Sequence, residues 1–225
     1  MNMKVTVFNG SPKAENSNTN IIALSFLEGA QSAGAETENF FLINKNINHC
    51  SGCFSCWFKT PGKCVYNDDM NKLVERYLAS DIICFATPVY TWNMTACLKN
   101  FADRLIPLRS PRLQQSDGNY DMKARVSRFP DSVVIANSGF PGNNNFETIH
   151  QVFKSCNPIL EIYRNCGNLL KTNIVEIKDK VGQYLENVKN AGSEIIKFGK
   201  VSDELQNELK KDIVSPDEYI KIMRL

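Results

Sequence analysis

Residues with the types and spacing for chemistry come first at the start of this chain. Asn9-Gly10-Ser11-Pro12-Lys13-Ala14-Glu15-Asn16-Ser17-Asn18-Thr19-Asn20 follows the apolar run Lys4 to Phe8 without a break. A helical pattern begins at once after it, with Ala23, Phe26, Leu27 and Ala30 at spacings i, i+3, i+4 and i+7. A strand, a loop rich in hydroxyl and amide side chains, and a helix N-terminus bring free backbone N–H groups and the positive end of a helix dipole to one point. That point suits a phosphate group. Hydrogen bonds to a charged phosphate oxygen contribute about 1.5–3 kcal/mol each, against about 0.3–1 kcal/mol from the dipole. Ser11, Ser17, Asn18 and Thr19 with their amides should therefore dominate, and Lys13 supplies charge enough. The competing reading is an Asn- and Ser-rich surface turn ending in a helix cap.

A second group lies between His49 and Cys64, where Cys50, Cys53, Cys56 and Cys64 give the spacing C-x2-C-x2-C-x7-C. Four thiolates on a short loop with Gly52 and Gly62 can wrap a [4Fe–4S] cluster, which needs one sulfur per iron. They also suit a tetrahedral structural zinc, or a metal-free packed loop, since free cysteine is a common core residue. Cys84, Cys97, Cys156 and Cys166 fall on strand or helix patterns and read as packing residues. A third group, Thr87-Pro88-Val89-Tyr90-Thr91-Trp92-Asn93-Met94-Thr95, follows another apolar run. Pro88 turns the chain outwards, and Tyr90 and Trp92 offer flat apolar faces to a planar heteroaromatic ring.

These loops need a scaffold, and the rest of the chain supplies its pattern. Strand signals recur at Val5–Phe8, Thr37–Ile43, Ile82–Ala86, Val133–Ala136 and Leu169–Ile177. Helical faces lie between and after them: Met70, Leu73, Val74, Tyr77 and Leu78 behind the capping pair Asp68-Asp69; Leu98, Phe101, Ala102 and Leu105; Ile149, Val152, Phe153 and Cys156; Val181, Tyr184, Leu185 and Val188. Pro158 should end or kink the helix that begins near Phe146. Strands alternating with helices predict a doubly wound α/β fold, a five-stranded parallel sheet with helices on both faces. With a phosphate loop after the first strand, the expected order is the flavodoxin-like 2-1-3-4-5, whose crevice opens at the switch point between strands 1 and 3. The expected division is residues 1–200 as this domain and 201–225 as a C-terminal helical extension. Ser215-Pro216-Asp217-Glu218 there reads as an N-cap, a proline at N1 and a capping glutamate. Ile106 to Asp131 is expected to be a long basic connection with Arg109, Arg112, Lys123, Arg125 and Arg128.

Bulk properties limit the class of function. Apolar content of 43%, charged content of 22% and a net charge of +2 over 225 residues are ordinary for a globular protein. They give no reason to expect nucleic acid or a membrane surface. The chain enters a strand within four residues and no apolar run reaches membrane-spanning length, so no signal peptide or membrane span is expected and a cytoplasmic location is.

Taken together, Gly10-Ser11-Pro12-Lys13 with Asn16 to Thr19, Asp68-Asp69-Met70, Thr87-Pro88-Val89-Tyr90, Leu98-Lys99-Asn100-Phe101 and Asp103-Arg104 resemble the flavodoxin-like NAD(P)H-dependent FMN reductases and their relatives, the iron–sulfur flavoproteins. The likeness is strong over the first half of the chain and rests on element order beyond it. It implies that Ser11, Lys13, Ser17, Asn18 and Thr19 hold the FMN phosphate, and that Pro88, Val89, Tyr90, Trp92, Asn93 and Met94 border the ribityl chain and ring. The turn Asn137-Ser138-Gly139-Phe140-Pro141-Gly142 would close the other side, with Ser138 and Gly139 nearest. It implies flavin-borne hydride transfer from NAD(P)H to a small-molecule or protein acceptor, with no catalytic side chain of its own. It further implies a homodimer or homotetramer, and makes a [4Fe–4S] cluster on Cys50, Cys53, Cys56 and Cys64 the ligand set of the alternative, an electron carrier fed by ferredoxin. A flavin-binding sensor is a third reading. No GxGxxG motif occurs, so a nicotinamide would stack directly on the flavin. Arg109, Arg112, Arg125 or Arg128 would hold its phosphates unless the basic connection is only a solvated insertion. Lys99, Asp103 and Arg104 read as an ion-pair set on a helix surface, and His49 and His150 as incidental polar residues.

Overall fold

Five strands lie side by side. The computed structural model describes residues 2–116 and 118–223. In it β1 (Lys4–Asn9) lies parallel between β2 (Glu36–Phe41) and β3 (Ile82–Pro88). Beyond β3 come β6 (Asp131–Asn137) and β7 (Leu160–Arg164), both parallel. The sheet order β2-β1-β3-β6-β7 is the flavodoxin-like 2-1-3-4-5 when its own five strands are counted in chain order.

Alternation along the strands splits the interior into two cores, because successive strand side chains face opposite ways. Val5, Val7, Cys84, Val133 and Ile135 point into one core and Phe8, Ile83, Phe85, Val134 and Ala136 into the other. The first is covered by α1 (Asn18–Ser32) and α6 (Val175–Phe198), the second by α3 (Met70–Leu78), α4 (Ala96–Asp103) and α5 (Glu147–Phe153). Helices α1 and α6 touch through two glycines. A Cβ at Gly29 would sit 1.7 Å from the Lys189 carbonyl oxygen, and one at Gly192 would sit 2.1 Å from that of Phe26. No other residue permits that approach.

Two expectations from the sequence fail. The fifth strand is Leu160–Arg164, not Leu169–Ile177, which holds a 3-10 turn (Gly167–Lys171) and the first residues of α6. Leu160–Arg164 is an edge strand whose burial alternates, so Glu161 and Tyr163 mask its apolar character. The segment from Ile106 to Asp131 is not an irregular loop but largely a hairpin, β4 (Arg109–Ser116) antiparallel to β5 (Asn119–Ala124). Its arginines are mostly engaged within the chain: Arg109 with Asp121 at 2.8 Å and over the Phe129 ring, Arg128 with Asp81 at 3.8 Å. The helix before Pro158 does stop, passing through a 3-10 turn to Asn157 in the left-handed region.

After α6 the chain forms α7 (Asp203–Lys210) and α8 (Pro216–Met223). The capping box is present, the Glu218 carboxylate accepting from the Ser215 N–H and the Ser215 hydroxyl from the Glu218 N–H. Leu209, Ile213, Val214 and Tyr219 are buried in the same core as α1 and α6. Among the described residues, no helix is long and apolar enough to cross a membrane.

Candidate functional site

Three loops leave the carboxyl ends of the neighbouring strands β1, β3 and β6, and each contains residues singled out from the sequence. The first is shaped by Ser17. Its extended backbone (φ −93°, ψ 152°) lets its hydroxyl accept from the Asn20 N–H at 3.0 Å and donate to the Ala14 carbonyl at 2.7 Å. That is an N-cap on a 15-residue helix. The Ser17 proton is thereby committed to the loop itself. The N–H groups of Asn18 and Thr19, at the first two helical positions, have no carbonyl to meet inside the helix. Ser11 is buried, its N–H held by the Asn9 carboxamide at 3.0 Å, while Lys13 is exposed. The Thr19 hydroxyl accepts from the Asn137 amide at 2.6 Å, leaving its own proton to give.

A layer of amides that the sequence did not single out supports this loop. Asn39 donates to the Asn20 carboxamide oxygen at 2.9 Å, Asn9 approaches the same atom, and Asn20 donates to the Glu15 carbonyl. The Asn39 oxygen, buried, meets no partner among the described residues. Thr95 joins the first loop to the second: its hydroxyl donates to the Gly10 carbonyl at 2.6 Å and caps the N–H of Leu98, and its N–H reaches the Thr87 hydroxyl. A threonine just before an apolar helical pattern is a signal that the sequence did carry.

The second loop turns tightly. Tyr90 and Asn93 exchange both backbone hydrogen bonds, at 2.9 and 3.0 Å, around Thr91 (φ 48°) and Trp92 (φ 58°). Both central residues have positive φ, the requirement of a type I′ turn that asparagine and glycine usually fill. A threonine and a tryptophan there store strain of about 1–3 kcal/mol each, which clusters at ligand sites. The turn leaves Tyr90 48% and Trp92 63% exposed. Pro88 ends β3, Val89 donates to the Asn137 carbonyl at 2.8 Å, and Met94 is buried. In the third loop Ser138 gives its N–H to the Arg164 carbonyl and accepts the Phe140 N–H on its hydroxyl. Gly139 and Phe140 are exposed beside it.

Cys50, Cys53, Cys56 and Cys64 all line one cavity of about 770 Å³, which Met94 of the second loop also reaches. Cys56 is buried, and burial together with the nearby Cys64 pushes its thiol up, while the Ser55 N–H and hydroxyl draw the exposed Cys53 down. Four soft donors are the chemistry that a cluster of four irons takes. Among the described residues, no three His, Cys, Asp or Glu side chains stand ready around a single metal ion.

The neck of this cysteine loop is a buried ion pair. Lys99 and Asp103 do form the expected surface pair at 2.6 Å, but Arg104 is not part of it. Arg104 is 1% exposed and bridges both Asp68 oxygens, at 2.8 and 3.1 Å, and the Asn48 carbonyl at 2.6 Å. Asp68 also accepts the Asn48 and Met70 N–H groups. Burial opposes the Asp68 charge, and these hydrogen bonds overcome it, holding the carboxyl down at about 2. His150 has an acid partner after all, Glu161 at 2.8 Å across the chain, on the outer edge of the sheet.

A five-stranded parallel sheet of order 2-1-3-4-5, with ligand-competent loops at the ends of its first, third and fourth strands, defines a flavodoxin-like α/β protein. The chain belongs to the NADPH-dependent FMN reductase family, which it matches over residues 3–120. The iron-sulfur flavoprotein of Archaeoglobus fulgidus is 36% identical over 105 residues, which is 47% of this chain and 46% of that protein. The chain spans about half the length of the curated relatives it matches. Among solved structures, the NAD(P)H:quinone oxidoreductase from Methanothermobacter marburgensis aligns with a TM-score of 0.62 at 16% identity, over 87% of this chain and 98% of that one. An FMN-dependent NADH-azoreductase from Bacillus anthracis in complex with FMN aligns at 0.61 and 14% identity, over 87% and 100%. These two likenesses are of fold.

Proposed function

We propose that this chain binds FMN across the three strand-end loops and works as an NAD(P)H-dependent oxidoreductase. One observation carries the reading. The N–H groups of Asn18 and Thr19, unmet inside their helix, stand at the same end of the sheet as the strained Tyr90–Asn93 turn. The donor set fits a phosphate dianion: two backbone N–H groups, the hydroxyls of Ser11 and Thr19, and the Lys13 ammonium. Ser17 acts through its cap, by fixing where those N–H groups point. Pro88, Val89, Asn93 and Met94 line the approach, Tyr90 and Trp92 shield a planar ring from water, and the Ser138–Gly139 backbone meets its polar edge.

When bound, FMN supplies hydride and electron chemistry that no side chain here has to supply. The chain's own work is to bind, orient and screen. The electron donor is NADH or NADPH and the acceptor a small molecule or a protein. The protein is cytoplasmic and works as a homodimer or homotetramer, which would cover exposed Phe54, Phe58, Trp92 and Phe140. Protein reconstituted with FMN and mixed anaerobically with NADH or NADPH should lose its flavin absorbance. Retention of FMN with no bleaching by either donor would leave a binding module instead.

A second reading has its own support. Four cysteines around one cavity, next to Met94 of the ring loop, and relatives named iron-sulfur flavoproteins favour an electron carrier with a [4Fe–4S] cluster on Cys50, Cys53, Cys56 and Cys64. Protein purified without oxygen and assayed for iron and acid-labile sulfide separates the two: about four of each per chain selects the carrier.

A further inference from the structure

The third loop is held in place from behind by a part of the chain that lies outside the family match, which ends at residue 120. Tyr219 of α8 is 4% exposed, and its hydroxyl donates to the Gly139 carbonyl at 2.6 Å. The same hydroxyl accepts from the Asn168 amide at 3.4 Å, so both of its hydrogen-bonding roles are filled. The neighbouring peptide is pinned as well, because the Ser138 carbonyl accepts the Gly167 N–H at 2.8 Å. A trans peptide directs its N–H opposite its C=O. The Gly139 N–H therefore points away from Gly167.

Helix α7, which leads into α8, is itself anchored to the end of β7. Arg164 is 1% exposed and, among the described residues, has no carboxylate partner. Its guanidinium donates to the Leu209 and Lys211 carbonyls at 2.6 and 2.9 Å and lies 4.1 Å over the Tyr184 ring. Those carbonyls close α7, whose last C=O groups would otherwise lack donors. Asn165 ties the following residue, donating to Asp212 at 2.7 Å. The Arg164 carbonyl meanwhile takes the Ser138 N–H at 2.9 Å. One buried arginine thus grips the C-terminal helices with its side chain and the third loop with its backbone, and Tyr219 returns from those helices to the same loop.

We infer that Tyr219 is a positioning residue for the flavin site, a strut from the C-terminal helix that sets the Ser138–Gly139–Phe140 turn. This rests on the FMN reading for its ligand, though the strut itself does not. Losing the hydroxyl leaves the Gly139–Phe140 peptide with one hold among the described residues, the Phe140 N–H on the Ser138 hydroxyl at 3.1 Å, so the peptide and the polar edge offered to the ring can tilt. The ring of Tyr219 stays packed, so Tyr219→Phe should fold.

The test compares Tyr219→Phe with Tyr77→Phe, which removes a buried hydroxyl from α3 in the core on the other face of the sheet. Tyr219→Phe should weaken FMN binding about five-fold, the loss of one hydrogen bond, and change the visible circular dichroism of the bound flavin. It should also speed hydrogen exchange at the Phe140 amide in the flavin-free protein. Tyr77→Phe should leave all three unchanged. Unaltered Phe140 exchange in Tyr219→Phe, or equal effects from both variants, overturns the strut. Failure of the native protein to bind FMN overturns the functional reading, and the exchange measurement still decides the strut.

Discussion

Asn18→Pro is the sharpest test of the phosphate loop, because it should damage the ligand and spare the fold. Asn18 is the first residue of α1, where proline is welcome: the helix leaves that N–H without a partner, and the fixed proline φ suits the first turn. Proline also asks its predecessor to be extended, and Ser17 already is, at φ −93° and ψ 152°. The free protein should therefore melt within a degree or two of native. The phosphate loses one donor, and a hydrogen bond to a charged group contributes about 1.5–3 kcal/mol. FMN affinity should fall roughly 10- to 150-fold. Flavin fluorescence quenching on titration measures it directly. Asn18→Ala removes the side chain and keeps the N–H, so the difference between the variants isolates the backbone donor. Riboflavin lacks the phosphate and should bind both variants and the native protein alike. Equal FMN affinities for Asn18→Pro and Asn18→Ala would show that no anion sits at this helix end.

Further expectations concern stability. Asp68→Asn leaves the buried Arg104 charge without its counter-ion and should cost about 3 kcal/mol at neutral pH by urea denaturation. The Asp68 carboxyl titrates at about 2 against an ordinary 3.8, so its stabilising charge is fully present above the unfolded value and lost as pH falls through the folded one. The native-to-variant gap should thus narrow by about 1 kcal/mol by about pH 3; a gap that stays constant or widens on acidification refutes the assignment. Thr91→Gly should raise stability by about 0.5–1 kcal/mol, since the left-handed penalty for a β-branched residue exceeds the entropy cost of glycine; thermal melts showing a loss would mean the turn is not strained. Arg164→Met should leave the α7 carbonyls unmet and expose the tail, and limited proteolysis should then cut between α6 and α8 faster than in the native protein.

The local patterns that reached the structure intact were those whose physics is local. Val5 to Phe8 and the Ser215–Glu218 capping box each depend on neighbours within a few residues, and each formed as read. Leu160–Arg164 did not, because an edge strand shows half its side chains to water, while the β-branched stretch before Ile177 resembles a strand more than the true one does. The hairpin after Ile106 was also missed, although Asp117-Gly118 is a hairpin signal in the sequence. Arg104 differs for another reason: its place beside the Lys99 and Asp103 i,i+4 pair suggests a helix-surface ion-pair set, yet its partner Asp68 lies 36 residues earlier.

By itself the sequence determined which side chains of anion-, ring- and metal-binding type stand close along the chain, since side-chain chemistry and short spacing are properties of the chain alone. It also determined the sheet order, because an α/β alternation with one phosphate loop leaves few topologies. Only the tertiary structure decided what supports the site. Asn39 beneath the first strand-end loop, Arg104 at the neck of the cysteines and Tyr219 behind Gly139 all act across 19 to 80 residues of chain. Contacts at such separation leave no periodic trace in sequence, since they depend on where several elements pack and not on how any one of them forms.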